Sequence, residues 1–465
     1  MMYPGTIKWS GRHTWTLLLR MESSWSSTTP SLCALLLEHL CLRDGKFSED
    51  VVSMKTIYFR YPFHIGLQED VIHPLTRGGL LTNLTTLADE LRSEGYSTHA
   101  VGKWHLGSCN EDFLPTSRGF DHHYGYWLGA EDYYQHTRSQ AGHKGYDFRD
   151  DLRVDHSAKG VYSSVLFGKK SSQIIENHNQ SNPLFLYLPF QSPHAPLQAP
   201  KEYVKMYKSV GDKDRREYLG MITAMDDAIG RVIESLKKAN MFENTIIVFL
   251  SDNGARVGHG GNNWPLRGMK NGLWEGGTRT PAFIHGPGLS PRVEHRMFHV
   301  TDWYPTILDI IKKKPTGPPM DGISAWKGLA KKSLNWKRNE IVYNLQESKD
   351  HPNNPTGAIR IGHWKFLWMV PGYDGWEEPA ENRTKKFSHG KNWLDHMNDI
   401  AHTNQLFNLA EDPSEKNNLA EVEPERVLKM KAKLKSHLKT LMSPSYEAYD
   451  LAGTPRNGIW STGWC

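Results

Sequence analysis

From about residue 80 the chain alternates between two periods of apolar residues. In TNLTTLADELRSEGY, Leu84, Leu87 and Leu91 recur at helical spacing, Gly95 predicts the stop, and the β-leaning STHAV follows. LFLYLPF (184–190) predicts a strand, REYLGMITAMDDAIGRVIESLKKAN (216–240) an amphipathic helix, and the wholly apolar TIIVFLSDN (245–253) a buried strand. Such alternation predicts an α/β sandwich around a large mixed, mostly parallel sheet. Three polar segments, HAVGKWHLG (99–107), PFQSPHAP (189–196) and SDNG (251–254), each follow a strand, where α/β folds place ligands.

Past residue 330 the segments shorten. EIVYNLQ, then GAIRIGHWKFLWMVPG with a turn at Gly362-His363, then QLFNLAEDPSEKNNLAE and a basic helix near 424–442 predict a smaller α+β domain. An antiparallel sheet with one packed helix suits that pattern. The expected organisation is an N-terminal segment 1–60 outside the fold, an α/β domain over 61–335, and a smaller domain over 336–465. No internal repeat is visible.

Composition narrows the function classes. The 465 residues include 16 Trp and 19 Tyr, with 38% hydrophobic and 23% charged residues, which is packing material for a folded protein rather than a disordered one. Fifty-six Lys and Arg oppose 51 Asp and Glu without a long basic run, so nucleic acid gains no support as a partner, while anionic small or polymeric substrates stay open. No stretch reaches the roughly 18 apolar residues of a membrane helix, since Arg20 and Glu38 interrupt the leucine runs. No signal peptide is read at the N-terminus, yet Asn83, Asn179 and Asn382 head glycosylation sequons. Cys33, Cys41, Cys109 and Cys465 have neither zinc-ligand spacing nor the number of a disulfide framework.

GKWHLG places Lys103 and His105 two apart, an anion-binding cation beside a titratable base in an extended loop, or a surface lysine beside a structural histidine. Asp252 and Asn253 offer hard oxygen donors after a strand, or a plain Asx turn. His194, between Pro193 and Pro196, is an imidazole held at the sheet's end or a solvated loop residue. The Gly- and Trp-rich stretch 260–284, with Lys270 and Glu275, reads as a long rigid functional loop.

GKWHLG, the PHAP histidine, SDNG and NNWPLRGMKNGLWEGGTRTP, in this order, resemble the sulfatase family in its arylsulfatase B-like branch, and LFNLAEDPSEKNNLA resembles that family's C-terminal signature. The resemblance spans about residues 61–445. It implies an alkaline-phosphatase-like α/β fold holding one Ca²⁺ and a sulfate ester. Asp252 and Asn253 would be calcium ligands, and Lys103, His194 and Lys270 would bind the sulfate. His105 would abstract the proton that resolves a covalent sulfate intermediate. The branch implies a sulfated N-acetylgalactosamine in a glycosaminoglycan as substrate and a lysosomal or secreted location. A non-catalytic sulfated-glycan binder is the second reading, and a phosphomonoesterase relative is disfavoured by the paired GKWHLG and WEGG segments.

Two family elements are not written in this chain: the Cys-x-Pro-Ser-Arg segment whose cysteine becomes formylglycine, and an upstream Asp-Asp pair completing the calcium shell. Read one base early, permissible codons for Thr16 to Asp44 spell that missing segment. Gly45-Lys46 and Tyr58-Phe59-Arg60 permit splice-donor and splice-acceptor bases. Residues 1–60 are therefore expected to be a mistranslated exon with a retained intron, and the chain as written is expected to be inactive. Cys109 and Cys465 could pair only if the fold brings the tail beside the active-site loop, and the sequence leaves that pairing open.

Overall fold

The computed structural model describes residues 59–331, 338–347, 355–370, 375–378, 403–444 and 449–465. In chain order the first half contains α1 (Leu87–Ser93), β1 (Ser97–Lys103), β2 (His122–Tyr126), β3 (Thr137–Gln140) and β4 (His143–Tyr146). The short β5 (Arg149–Asp150) and β6 (Arg153–Val154) follow, then α2 (Ser163–Glu176), β7 (Leu184–Tyr187), α3 (Lys201–Met206) and α4 (Lys213–Lys238).

The central sheet has strand order β6-β5-β2-β1-β7. Its longer pairings are parallel, with His99 opposite both His122 and Leu186, and only the two-residue edge strands β5 and β6 run antiparallel. This is the expected mixed, mostly parallel arrangement. Leu84 lies before α1 rather than in it, because the Thr86 side chain caps the helix: its Oγ1 accepts from Asp89 N at 3.0 Å while Asp89 Oδ2 accepts from Thr86 N at 2.8 Å. Gly95, at φ 82°, ends that helix as expected.

Helix α4 starts earlier than expected, at Lys213, where Asp212 caps Arg215 N at 2.8 Å, and its last turn carries Lys237 and Lys238. Leu219, Ile222, Val232 and Leu236 are among the residues it buries. Its axis packs on α2 where Gly168 leaves room, since a Cβ there would stand 3.0 Å from the Ala228 Cβ.

After α4 come β8 (Ile247–Leu250), α5 (Glu275–Thr278), β9 (Ala282–His285), α6 (Trp303–Ile310) and α7 (Trp326–Lys331). Strand β8 pairs antiparallel with β9, Val248 opposite Ile284, and among the described residues it is not laddered to β7. Both strands nevertheless rest on α4, with Leu184, Leu186 and Ile247 packed on Val232 and Leu236. Phe59, expected to lie outside the fold, is buried against Tyr304 with ring centroids 4.7 Å apart.

The C-terminal part is the expected antiparallel sheet: β10 (Glu340–Gln346), β11 (Thr356–Ile361), β12 (Trp364–Trp368) and β13 (Asn404–Asn408), in that order, with α8 (Pro424–Ser436). Strand alternation splits its side chains. Ile359, Phe366, Trp368 and Leu406 pack on Val427, Met430 and Leu434 of α8, whereas Ala358, Leu367 and Phe407 pack on Leu273 and Trp274 of the 260–284 loop. The basic helix is shorter than expected, ending at Ser436 before a 3₁₀ turn. Among the described residues no helix is long and apolar enough to cross a membrane.

Candidate active site

Lys103 is the last residue of β1, buried, with its backbone N donating to Pro189 O at 2.9 Å. The extended loop expected here is not formed: the chain bends, with His105 at φ 58° and its backbone N donating to Trp127 O at 2.9 Å. Its ring fits against Gly129. Nε2 lies 3.0 Å from Ile72 O, so in the neutral ring Nε2 carries the hydrogen and Nδ1 is the basic nitrogen. Burial, then the charges of Lys103, Arg138 and His194, hold this imidazole well below its usual range, against the opposing Ile72 hydrogen bond.

His194 stands at the end of the segment after β7. Its backbone N donates to Gln191 O at 2.9 Å, Tyr133 Oη donates to His194 O at 2.9 Å, and its own Nδ1 lies 2.6 Å from Ala195 O. The imidazole is half-buried and fixed rather than solvated. Lys103, His105 and His194 therefore converge at the C-terminal ends of β1 and β7.

Asp252 and Asn253 follow β8, and Asn253 Nδ2 donates to Asp252 Oδ1 at 2.9 Å. Lys270 is joined to them through the backbone: its N donates to Ala255 O at 3.3 Å and Gly254 N to Gly277 O at 3.0 Å. Asn263 ties the loop together, its Oδ1 accepting from Ala255 N and its Nδ2 donating to Ala255 O and Gly268 O, each within 3.0 Å. These bonds fold the long loop back on the Asp252-Asn253 turn.

Calcium takes six to eight oxygen ligands. Among the described residues no group of three His, Cys, Asp or Glu side chains is placed to hold a metal, and Asp252 and Asn253 supply two oxygen donors. Two described donors fall short of the shell a Ca²⁺ ion takes. Cys33 and Cys41 lie outside the described residues, as does Asn382. Asn83 and Asn179 are exposed.

Several features escaped the sequence reading. Cys109 and Cys465, whose pairing the sequence left open, are joined in a disulfide because the tail returns to the GKWHLG loop: Gly463 N and Trp464 N donate to Cys109 O at 2.8 and 3.0 Å. Arg138, on the β3–β4 hairpin, lends its charge to the His105 environment, and nothing in its local sequence signals that. Glu131 is fully buried against His136, 2.8 Å from Nδ1, and its backbone O accepts from Gln191 Nε2 at 2.6 Å beside the His194 segment. Burial pushes the Glu131 carboxyl up to about 7.

Comparison with known proteins converges on one family. The Sulfatase family model matches residues 48–312. Arylsulfatase J of Mus musculus is 35% identical over 86% of this chain and 70% of its own length. N-acetylgalactosamine-6-sulfatase of Mus musculus is 24% identical over 83% of this chain and 72% of its own. Among solved structures, Ps i-CgsB is similar with a TM-score of 0.69 and 26% identity, covering 90% of each chain; its complex with a neocarrahexaose superposes with a TM-score of 0.68. With an extended family match and an arylsulfatase relative across most of its length, the chain belongs to the sulfatase family, the sulfuric ester hydrolases of the alkaline-phosphatase-like fold.

Proposed function

We propose that the site formed by Lys103, His105, His194 and Lys270 takes a sulfate ester of an N-acetylgalactosamine unit in a glycosaminoglycan. The observation that carries the reading is the convergence of Lys103 and His194 around the buried, neutral His105 at the ends of β1 and β7. A lysine and two imidazoles gathered at the strand ends suit the negative charge that develops on a sulfuryl group in transfer. Lys103, His194 and Lys270 bind and orient the sulfate oxygens. His105 accepts a proton at Nδ1, and its low basicity keeps that nitrogen unprotonated in mild acid.

Formylglycine and Ca²⁺, where a sulfatase carries them, supply the nucleophile and a Lewis acid. In this chain Cys109 is tied into a disulfide and no Cys-x-Pro-Ser-Arg segment is written, so neither is assigned here. The proposal for the 465-residue chain is accordingly recognition of the sulfate ester with negligible turnover, in a lysosomal or secreted setting consistent with exposed Asn83 and Asn179 sequons. Residues 61–335 form the catalytic unit and 336–465 the smaller one in this proposal.

The test is sulfate release from 4-nitrocatechol sulfate together with equilibrium binding of chondroitin sulfate. Binding that weakens at least tenfold in Lys103→Ala, without turnover, is the expected result. Turnover by the purified chain would overturn the inactivity, and absence of binding would overturn the assignment of the site.

A further inference from the structure

Lys365, in the middle of β12, is fully buried and points away from α8 toward the 260–284 loop. Its Nζ lies 3.0 Å from Glu275 Oε1 and 2.9 Å from Glu415 Oε1, with all three side chains essentially inaccessible. Glu415 Oε2 in turn accepts from the backbone N of Glu275 at 2.6 Å, and Tyr343 Oη lies 3.3 Å from Glu275 Oε1. One lysine of the C-terminal sheet thus grips, directly and through Glu415, the first residue of α5.

What α5 carries makes this grip consequential. Gly277 O accepts from Gly254 N, the residue after the Asp252-Asn253 pair. Gly277 also leaves no room for a Cβ, which would stand 2.5 Å from Gly272 O and 2.6 Å from Met269 O. The turn bearing Lys270 is therefore seated directly on α5. A second strut runs parallel: Glu415 O accepts from Arg267 Nη1 at 3.0 Å, the Arg267 guanidinium lies 3.9 Å from the Trp274 ring and 4.6 Å from the Trp376 ring, and Gly276 N donates to Arg267 O at 2.6 Å.

Apolar side chains of similar volume would stabilise such an interface at least as well as a buried ionic cluster. What the ionic cluster adds is a single geometry, because Lys365 meets both carboxylates only when the C-terminal sheet and α5 are in one register. We propose that Lys365, acting through Glu275 and Glu415, is a positioning residue that sets Lys270 and the Asp252-Asn253 turn in the sulfate site. The inference rests on the functional reading above for what the site binds, and on the contacts alone for how it is held.

The test is amide hydrogen exchange in the full chain, reading Gly254, Lys270, Gly276 and Gly277, with β1 and β2 amides as the internal reference. In Lys365→Met the four loop amides are expected to exchange at least tenfold faster while the reference amides stay within about twofold. Equal acceleration of both sets would mean a general loss of stability and would overturn the proposal, as would no change. Should Lys365→Met fail to fold, Glu415→Ala and Glu415→Gln decide the matter. Alanine removes the acceptor from Glu275 N and is expected to free the loop amides, whereas glutamine keeps an acceptor there and is expected to restore them; identical behaviour of the two overturns the proposal. Chondroitin sulfate binding, measured alongside, separates the two readings: a wild-type chain that binds none but shows the loop-specific loss fails only the functional one.

Discussion

A Cβ built on Gly129 would stand 2.1 Å from Cε1 and 2.3 Å from Nε2 of His105, so the glycine and the imidazole occupy one fitted space. The contact explains how a histidine at φ 58° keeps its ring aimed at Ile72 O, since the strand-end segment after β2 closes on it from the far side. Gly129→Ala is expected to push the ring off Ile72 O and to cost about 1–3 kcal/mol, the usual range for overpacking. Chemical denaturation measures the cost, and the crystal structure of the variant shows whether the ring has moved; an unmoved ring with unchanged stability contradicts the account.

The same burial fixes the charge of His105. Its folded-state basicity is lowered, first by desolvation and then by Lys103, so the folded protein disfavours the imidazolium that the unfolded chain forms near pH 6.5. The unfolded state therefore binds the extra proton, and stability contributed by this group is present above about pH 6.5 and lost as pH falls below it. The NMR titration midpoint of the His105 ring is expected to lie well below the ordinary imidazole value of 6.5. A midpoint at or above 6.5 would show a ring far more solvated than the packing allows.

Much of this site was legible in the sequence because it sits where local pattern and topology coincide. Lys103, His194 and Asp252 each end an apolar run, and strand ends are where an α/β sheet gathers its ligands. What escaped depends on choices between distant partners. The apolar run of β8 declares a strand but not that β9 is its ladder partner, and Thr86 outcompetes Leu84 for the start of α1 through a side-chain bond that periodicity does not weigh. Nothing in the local sequence singles out Lys365 or Glu415, because alternation along β12 marks which residues share a face but not that the loop covers that face.

The Cys109–Cys465 bond closes 356 residues of chain onto the loop that follows His105. Around it the tail is already seated: Trp460 Nε1 donates to Arg138 O at 3.0 Å, and Arg77 pairs with Asp450. Cross-links closing long loops stabilise by roughly 2–5 kcal/mol, chiefly by restricting the unfolded chain. Cys465→Ser is expected to lower the denaturation midpoint accordingly, with the wild type in reductant falling to the same value. A reductant-insensitive wild type would show that the bond does not form in solution.

Glu415 and Glu275 share one lysine, and the dry site favours a single net charge between the carboxylates. Lys365 holds Glu275 below its usual range, while burial, then the neighbouring Glu275, pushes Glu415 up to about 7. The folded protein thus binds a proton on Glu415 that the unfolded chain releases near pH 4.5, so the stabilisation is complete below that value and is lost as pH rises toward 7. Glu131 titrates in the same direction over the same window, so the wild-type curve alone does not isolate the effect. The difference between wild type and Glu415→Gln does, because the amide keeps an acceptor and has no proton to lose. Unfolding free energies from pH 4.5 to pH 8 are expected to fall less steeply in Glu415→Gln than in wild type, with the two curves separating progressively up to about pH 7 and running parallel above it. Parallel curves throughout would mean that Glu415 is ionised across the range, with Lys365 charge-balanced by both carboxylates at once.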